Sequence, residues 1–358
     1  MPHGPLLHWP TAMLCAQLAP LLPGLRVQAV AEIASTNSAL LGRARGGDGQ
    51  PADVLPCLLV AEHQSAGRGR QGKAWQSSAG ASLTFSLALP LAPADWSGLS
   101  LAVGLALADT LDPEQPGQPA AVGIKWPNDL LLRDAPGSAA AGQHGQTAGI
   151  GRKLGGILIE TVPMVGQAGH QRLVVVGVGL NLQPLPAQAP DAPPLSWGHA
   201  SLQELPALPA GAGGLPDRLL PLTAPQVLAR VALPLVQALL AFEQRGFAPL
   251  QQRFAARDVL AGQAVLTTLP ELPHGIADGV DATGTLWLRV PQAGAGRGAA
   301  PAPRWPVRSG EVSLRRPAGG AATDATRSAT PPAAPSATSA TPPAATEATP
   351  PAAGAAAC

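Results

Sequence analysis

The sequence predicts an α+β fold, a larger α+β domain followed by a small β-barrel. Three observations carry that expectation. Apolar runs of strand length recur between Cys57 and Leu180. Two longer stretches, Leu99 to Leu111 and Pro225 to Arg245, carry apolar residues around helical turns. Beyond Asp258 only short β segments remain, separated by turn residues, which suits a small barrel more than a second helical layer.

Taken in order, residues 1–30 read as an N-terminal extension or helix. CLLVAE (Cys57 to Glu62) and SLTFSLAL (Ser82 to Leu89) read as strands, with the glycine-rich GRGRQG (Gly67 to Gly72) between them. Leu99 to Leu111 is a helix, with Pro113 just beyond its end. Ala121 to Trp126, Lys153 to Thr161 and Arg172 to Leu180 are further strands, and Pro225 to Arg245 is one or two helices interrupted at Pro234. Ala264 to Leu269, Gly284 to Val290 and Glu311 to Arg315 supply the barrel. The expected domains are 1–30, 31–257 and 258–316, with a tail at 317–358.

Gly 41 and Pro 41 in 358 residues approach a low-complexity level, yet 46% hydrophobic content still provides a core, so the excess must be local. Pro317 to Cys358 is almost only Ala, Pro, Thr, Ser and Gly and should be disordered. Asp134 to Gly151 and Pro184 to Leu215 (134–151 and 184–215) read as surface insertions. A formal net charge of +1 gives no basic field to hold DNA or an anionic membrane. Cys15, Cys57 and Cys358 are an odd number without metal-site spacing, which argues against a disulfide framework and fits a cytoplasmic protein. The N-terminus does not read as a signal peptide, and Ala74 to Ala94, the longest uncharged stretch, is too broken for a bilayer span.

Residue usage then points to chemistry. Among 23 basic residues only Lys73, Lys125 and Lys153 are lysines, and the only asparagines are Asn37, Asn128 and Asn181. Each Asn sits in a short polar cluster beside an apolar run: Ser35-Thr36-Asn37, Trp126-Pro127-Asn128-Asp129 and Gly177-Val178-Gly179-Leu180-Asn181. A lysine kept where arginine is the rule suggests a compact point charge. Gly67 to Gly72 alternates pliable backbone with Arg68 and Arg70, as a mobile loop closing over phosphate or carboxylate would; its spacing is neither a Walker A loop nor a dinucleotide fingerprint. Arg68, Arg70, Lys125 and Lys153 are four cations from three segments, an inventory suited to attack on a nucleotide phosphate. Asp129 adds one carboxylate that either holds Mg2+ or satisfies a turn backbone, and Asn128 and Asn181 offer amides that match the edge of adenine.

These stretches resemble the biotin-protein ligases, enzymes that adenylate biotin and attach it to a lysine of a carboxyl carrier protein. The resemblance runs through Ser35-Thr36-Asn37, AEHQSAGRGRQGKAW (Ala61 to Trp75), KWPNDLLL (Lys125 to Leu132), KLGGILIE (Lys153 to Glu160), VGVGLNL (Val176 to Leu182) and GEVSLR (Gly310 to Arg315), in the family's order. It implies a central mixed β-sheet flanked by helices, then an SH3-like C-terminal barrel. Ser35, Thr36, Asn37 and Gln64 would line the biotin head-group pocket. Gly67, Arg68, Gly69 and Arg70 would form the loop over the acyl-adenylate, with Trp75 on the adenine side. Lys153 would contact the reacting carboxylate and the α-phosphate, and Gly156 would allow close approach of ligand. Asn128 and Asn181 would face adenine. Lys125 and Asp129 match the catalytic edge of KWPND, with Asp129 either binding metal or positioning the acceptor lysine.

The implied substrates are ATP and biotin with Mg2+. The implied partner is the biotin carboxyl carrier protein of acetyl-CoA carboxylase, with a homodimer allowed and no DNA or membrane. The stretch before Ser35 is too short for the winged helix-turn-helix of some relatives, so the enzyme-only type is expected. Phe254, where relatives commonly carry Trp, should be a packing change, and Trp197, Trp287 and Trp305 are assigned to packing. The rivals are a lipoate-protein ligase, which shares the core fold and adenylate chemistry, and an inactive biotin-binding module.

Overall fold

The computed structural model describes residues 7–46, 51–133, 150–164, 171–184, 198–205, 222–290, 303–308, 312–314 and 356–357. Its frame is a mixed sheet of β1 (Arg26–Ile33), β2 (Cys57–Gln64), β3 (Ser82–Leu91), β4 (Val122–Lys125), β5 (Asp129–Leu132), β6 (Arg152–Pro163) and β7 (Arg172–Asn181). The strand order is β1-β2-β3-β7-β6-β5-β4, with β1 and β2 parallel and every other neighbouring pair antiparallel. The central strands β3 and β7 are buried along nearly their whole length, which is why they read as near-continuous apolar runs.

Helices cover both faces of the sheet. α2 (Thr36–Arg45) packs Leu40, Leu41 and Ala44 against Leu59, Ala88, Leu173 and Val175. On the other face lie α1 (Thr11–Leu18), α3 (Leu99–Leu111) and α4 (Ala224–Arg245). α3 buries nine of its 13 residues between the sheet and α4. α4 opens with a capping box, Thr223 N–H to Gln226 Oε1 at 2.9 Å, and has Pro225 in its first turn.

The interruption expected at Pro234 does not occur, and α4 runs on to Arg245. A proline inside a helix costs about 3 kcal/mol. The buried stripe Val227, Leu228, Val231, Leu235, Val236, Leu239 and Phe242 outweighs it, at roughly 1.5–3 kcal/mol for each large side chain removed from water. By length and composition α4 could cross a membrane, but that stripe belongs to the protein core.

After α5 (Gln251–Arg257) come β8 (Ala264–Thr267), β9 (His274–Val280), β10 (Leu286–Arg289), β11 (Arg304–Val307) and β12 (Val312–Leu314). They form an antiparallel sheet in the order β11-β10-β9-β8-β12; where a barrel was expected, the described residues form an open ladder. Trp126 Nε1–H donates to Gly284 O at 3.0 Å, which ties the turn between β4 and β5 to this sheet. Phe254 is fully buried edge-to-face against Phe247, centroids 6.0 Å apart, as a packing change requires. Trp287 donates to Asp281 Oδ2 at 2.8 Å under the Arg304 guanidinium. Trp305, assigned to packing, is 50% exposed.

Three expectations change. The stretch read as an insertion at 184–215 contains residues 198–205, which are not a surface excursion: Ala200, Ser201 and Leu202 are fully buried, and Ala200 N–H donates to Lys153 O at 2.9 Å. Cys15 is disulfide-bonded, against the odd-count argument, while Cys57 is a free buried thiol. Of the tail, Ala356–Ala357 forms β13, a two-residue antiparallel addition to the edge of β1. The rest of the tail, Trp197, the bulk of both proposed insertions, and Gly310, Glu311 and Arg315 of GEVSLR lie outside the described residues.

Candidate active site

The C-terminal ends of β1, β2 and β7, the turn between β4 and β5, and the start of β6 meet around one cavity of about 300 Å3. Every site residue singled out in the sequence lines it except Gly67. Gly67 lies at the base of the loop, where a Cβ would stand 2.5 Å from Trp75 O.

One end of the cavity is lined by a buried hydrogen-bond network of hydroxyl and amide side chains. Ser35 caps α2 by accepting from Ser38 N–H at 3.4 Å, which presents Thr36 and Asn37 on the first helical turn. Thr36 N–H donates to Gln64 Oε1 at 2.7 Å, and Thr36 Oγ1 lies 3.1 Å from the same atom. Asn37 Nδ2 reaches Glu160 Oε2 at 3.0 Å and Leu158 O at 3.3 Å. Below them Ser86 Oγ, fully buried on β3, is 2.6 Å from Asn37 Oδ1 and 2.7 Å from Thr36 Oγ1. Sequence reasoning missed Ser86, although a signal existed: Ser82, Thr84 and Ser86 alternate through the apolar run and so share one face of the strand.

The glycine-rich segment is a short hairpin. Gly69 N–H donates to Lys73 O at 2.7 Å and Trp75 N–H to Gly67 O at 2.9 Å, with Gln71 in the left-handed region at φ 54°. Arg68 Nη1 donates to Ser38 Oγ at 3.4 Å, and Arg70 Nη1 to Asn128 Oδ1 at 3.3 Å, so the two guanidinium groups reach opposite walls. The Trp75 ring lies directly on Gly179, where a Cβ would come within 2.4 Å of the indole. Asn37 lies in the same way on Gly177. The alternating glycines of VGVGLN thus clear one face of β7 for two site residues, a role visible only once the strand is placed.

The charged end centres on Asp129. Lys153 Nζ is 2.8 Å from Asp129 Oδ1 and Lys125 Nζ 3.7 Å from Oδ2. Burial pushes this carboxyl up, but the two ammonium groups outweigh it and hold it below the usual carboxylate range. Both oxygens therefore carry lysines, and no group of three or more His, Cys, Asp or Glu stands together among the described residues. As a donor set for a resident metal, this does not fit.

The two asparagines brace the cleft as well as line it. Asn128 Nδ2 donates to Ile157 O at 2.9 Å, and Asn181 Nδ2 to Lys153 O at 3.0 Å. Lys153 is also gripped through its backbone by Gly198 and Ala200, which brings His199 to the cavity wall. Burial holds the His199 imidazole below its ordinary pKa. No motif marked His199, because its segment is hidden in Pro/Ala-rich composition.

The sequence profile of the Biotin/lipoate A/B protein ligase family matches residues 42–181. The biotin--[acetyl-CoA-carboxylase] ligase of Paracoccus denitrificans is 34% identical over 75% of this chain and 95% of its own length. The bifunctional ligase/repressor BirA of Escherichia coli is 32% identical over 82% of this chain and 75% of its length. The Mycobacterium tuberculosis biotin--[acetyl-CoA-carboxylase] ligase is 39% identical, but the match spans 47% of this chain and about half (53%) of that relative. The structure of the Aquifex aeolicus biotin protein ligase, solved with biotin and ATP, superposes with a TM-score of 0.52 at 22% identity, covering 81% of this chain and 99% of that one, and shares the fold. With matches of this identity reaching across nearly the whole of a relative, the chain belongs to the biotin-protein ligase family.

Proposed function

We propose that the cleft joins biotin to ATP as biotinyl-5'-AMP and then transfers the biotinyl group to a lysine of a biotin carboxyl carrier protein, that of acetyl-CoA carboxylase, in the cytoplasm. The observation that carries this reading is the pairing, in one cavity, of a buried amide-and-hydroxyl lining with a lysine–aspartate charge centre.

The amide-and-hydroxyl end suits a ureido ring, whose N–H and C=O groups would exchange hydrogen bonds with Ser35, Thr36, Asn37 and Gln64 instead of with water. Biotin's carboxylate then points toward Lys153. It is the nucleophile on the α-phosphorus, so no protein nucleophile is required, and the bond to the β-phosphate bridging oxygen breaks as pyrophosphate leaves. Charge developing on the α-phosphate and the leaving group meets Lys153, Arg68 and Arg70, each contact of this kind being worth about 3 kcal/mol in a dry site. Mg2+ would enter with the nucleotide substrate and would offset phosphate charge there. Trp75 offers its face to adenine, and its indole N–H is buried without a partner among the described residues. Asp129 keeps Lys153 and Lys125 in place.

The mixed anhydride is sensitive to water, and the hairpin over the cavity shields it until a neutral carrier amine attacks the acyl carbon and AMP departs. The C-terminal sheet, as an SH3-like domain, would close the far side through Val312, which lines the cavity. ATP–pyrophosphate exchange with biotin, with lipoate and with neither acid tests the reading. Biotin-dependent exchange is expected; exchange with lipoate alone, or with neither acid in folded protein, would overturn it.

A further inference from the structure

We infer that a second cavity, joined to the catalytic cleft through Arg70, is a phosphoanion site that receives the pyrophosphate released there; this rests on the adenylation reading. The cavity measures about 570 Å3 and lies between the start of α3, the β6 face carrying Ile159 and Thr161, and the C-terminal sheet. Arg70, Pro127 and Ile157 line both cavities, so the two share a wall.

Their electrostatics differ. In the cleft, the lysines have a carboxylate in Asp129. The second cavity is lined by Arg70, Arg172 and Arg308 and, among the described residues, by no Asp or Glu. Arg172 spends its Nε on Thr161 Oγ1 at 2.8 Å, and neither it nor Arg308 forms an ion pair among the described residues. The first turn of α3 adds to this field: it is 13 residues long, begins at Gly98 without a side-chain cap, and carries no acidic residue there. Ser100 Oγ, in that turn and on the cavity lining, is buried without a partner.

Arg172 and Arg308, which form no ion pair among the described residues, converge with a helix N-terminus and an unsatisfied hydroxyl, and Arg70, whose charge also acts on Asp129 in the cleft, stands in the wall between the two cavities. An anion rich in acceptor oxygens satisfies all of them, and the planar guanidinium fork matches phosphate geometry. The adenylation step produces such an anion beside Arg70. The bridging oxygen leaves with the electron pair of the broken P–O bond, so pyrophosphate departs without needing a proton. Passage from Arg70 to Arg172 and Arg308 takes it out of the cleft before the carrier lysine must enter.

The test titrates inorganic pyrophosphate calorimetrically into the full chain and into Arg172→Ala/Arg308→Ala, and measures pyrophosphate inhibition of carrier biotinylation for both. The double variant is expected to bind pyrophosphate at least tenfold more weakly and to show a matching rise in its inhibition constant, while biotin affinity does not move. Arg308→Ala alone, at an exposed side chain, should give part of the loss without risk to folding, and Arg172→Lys/Arg308→Lys should recover part of the binding. Unchanged pyrophosphate affinity in the folded double variant overturns the proposal. So does a raised KM for the carrier with pyrophosphate binding intact, which would assign the arginines to an acidic carrier surface. If biotin-dependent exchange is absent but the variants still lose pyrophosphate binding, the anion site stands and the adenylation reading falls.

Discussion

Replacing Ser86 by alanine removes a hub that no ligand need touch. Asn37 Oδ1 can only accept, so at 2.6 Å the Ser86 hydroxyl must donate to it; at 2.7 Å the Thr36 hydroxyl can then donate to Ser86 or turn to Gln64 Oε1. Both Ser86 and Asn37 are buried, and the substitution strips that acceptor of its donor with little room for water to replace it. An orphaned buried acceptor costs about 1–3 kcal/mol, which should appear as lower stability in chemical denaturation. Thr36 and Asn37 also lose the contact that fixes their rotamers. If half of that energy falls on the bound state, biotin affinity drops by roughly 3- to 10-fold, since 1.4 kcal/mol is tenfold. The assay is biotin-dependent ATP–pyrophosphate exchange with biotin and ATP varied separately. The biotin KM should rise while the ATP KM stays within about twofold, because the adenine side lies at Trp75, which the Ser86 hydroxyl does not contact. Equal rises in both, or an unchanged biotin KM in a destabilised protein, would refute the reasoning that this network serves the biotin end.

Lys153→Ala should lower biotin-dependent exchange by about 10²–10³-fold, the loss typical for one charge-stabilising donor, and Lys153→Arg should not restore it, because the site at Asp129 takes a point charge 2.8 Å away. The two β7 glycines should separate the substrates: Gly177→Ala drives a Cβ into the Asn37 amide and should raise the biotin KM, whereas Gly179→Ala drives one into the Trp75 indole and should raise the ATP KM. Asp258, buried at the start of the C-terminal sheet with Oδ2 unpartnered, is pushed up to about 6 by desolvation, only partly offset by backbone hydrogen bonds. The unfolded chain ionises this group near 3.8. Between these values the folded state holds the extra proton, so stability should fall as pH rises through that window, by about 3 kcal/mol at 1.36 kcal/mol per pH unit, and level off above it. Asp258→Asn, which keeps the Oδ1 acceptor for Leu260 N–H, should flatten this slope in denaturation measured at pH 4, 5, 6 and 7.

What could be read without coordinates depended on how far each residue's role is local. The strands β2, β3 and β7 announce themselves because both faces of the sheet are covered there and their residues are mostly apolar and buried, and β6 shows itself through the run Leu154 to Ile159. β1 was missed because Arg26, Gln28 and Glu32 interrupt its apolar pattern. Site residues carrying a distinctive side chain, such as Lys153, Asp129 and Trp75, were legible for the same reason: their chemistry is written in their type. Those acting through another residue were not. Ser86 is an ordinary serine until Asn37 is placed above it, and Gly177 and Gly179 mean nothing special until two side chains are seen to need the space.

His199 and the arginines of the second cavity are likewise brought into place by the fold alone. His199 reaches the cleft only because its segment docks alongside Lys153, and Arg172 and Arg308 share a cavity only because β7 and the C-terminal sheet flank the same end of α3. Spacing in sequence carries no trace of either juxtaposition. The charge balance visible in the sequence, close to neutral overall, conceals it further: a chain with net charge +1 still places Arg172 and Arg308 around one cavity whose lining holds no carboxylate among the described residues, while Asp109 and Asp112 pair with Arg257 and Asp278 with Arg289 and Arg304. Two arginines from separate segments that share a cavity and form no ion pair among the described residues are the place to look for an anion.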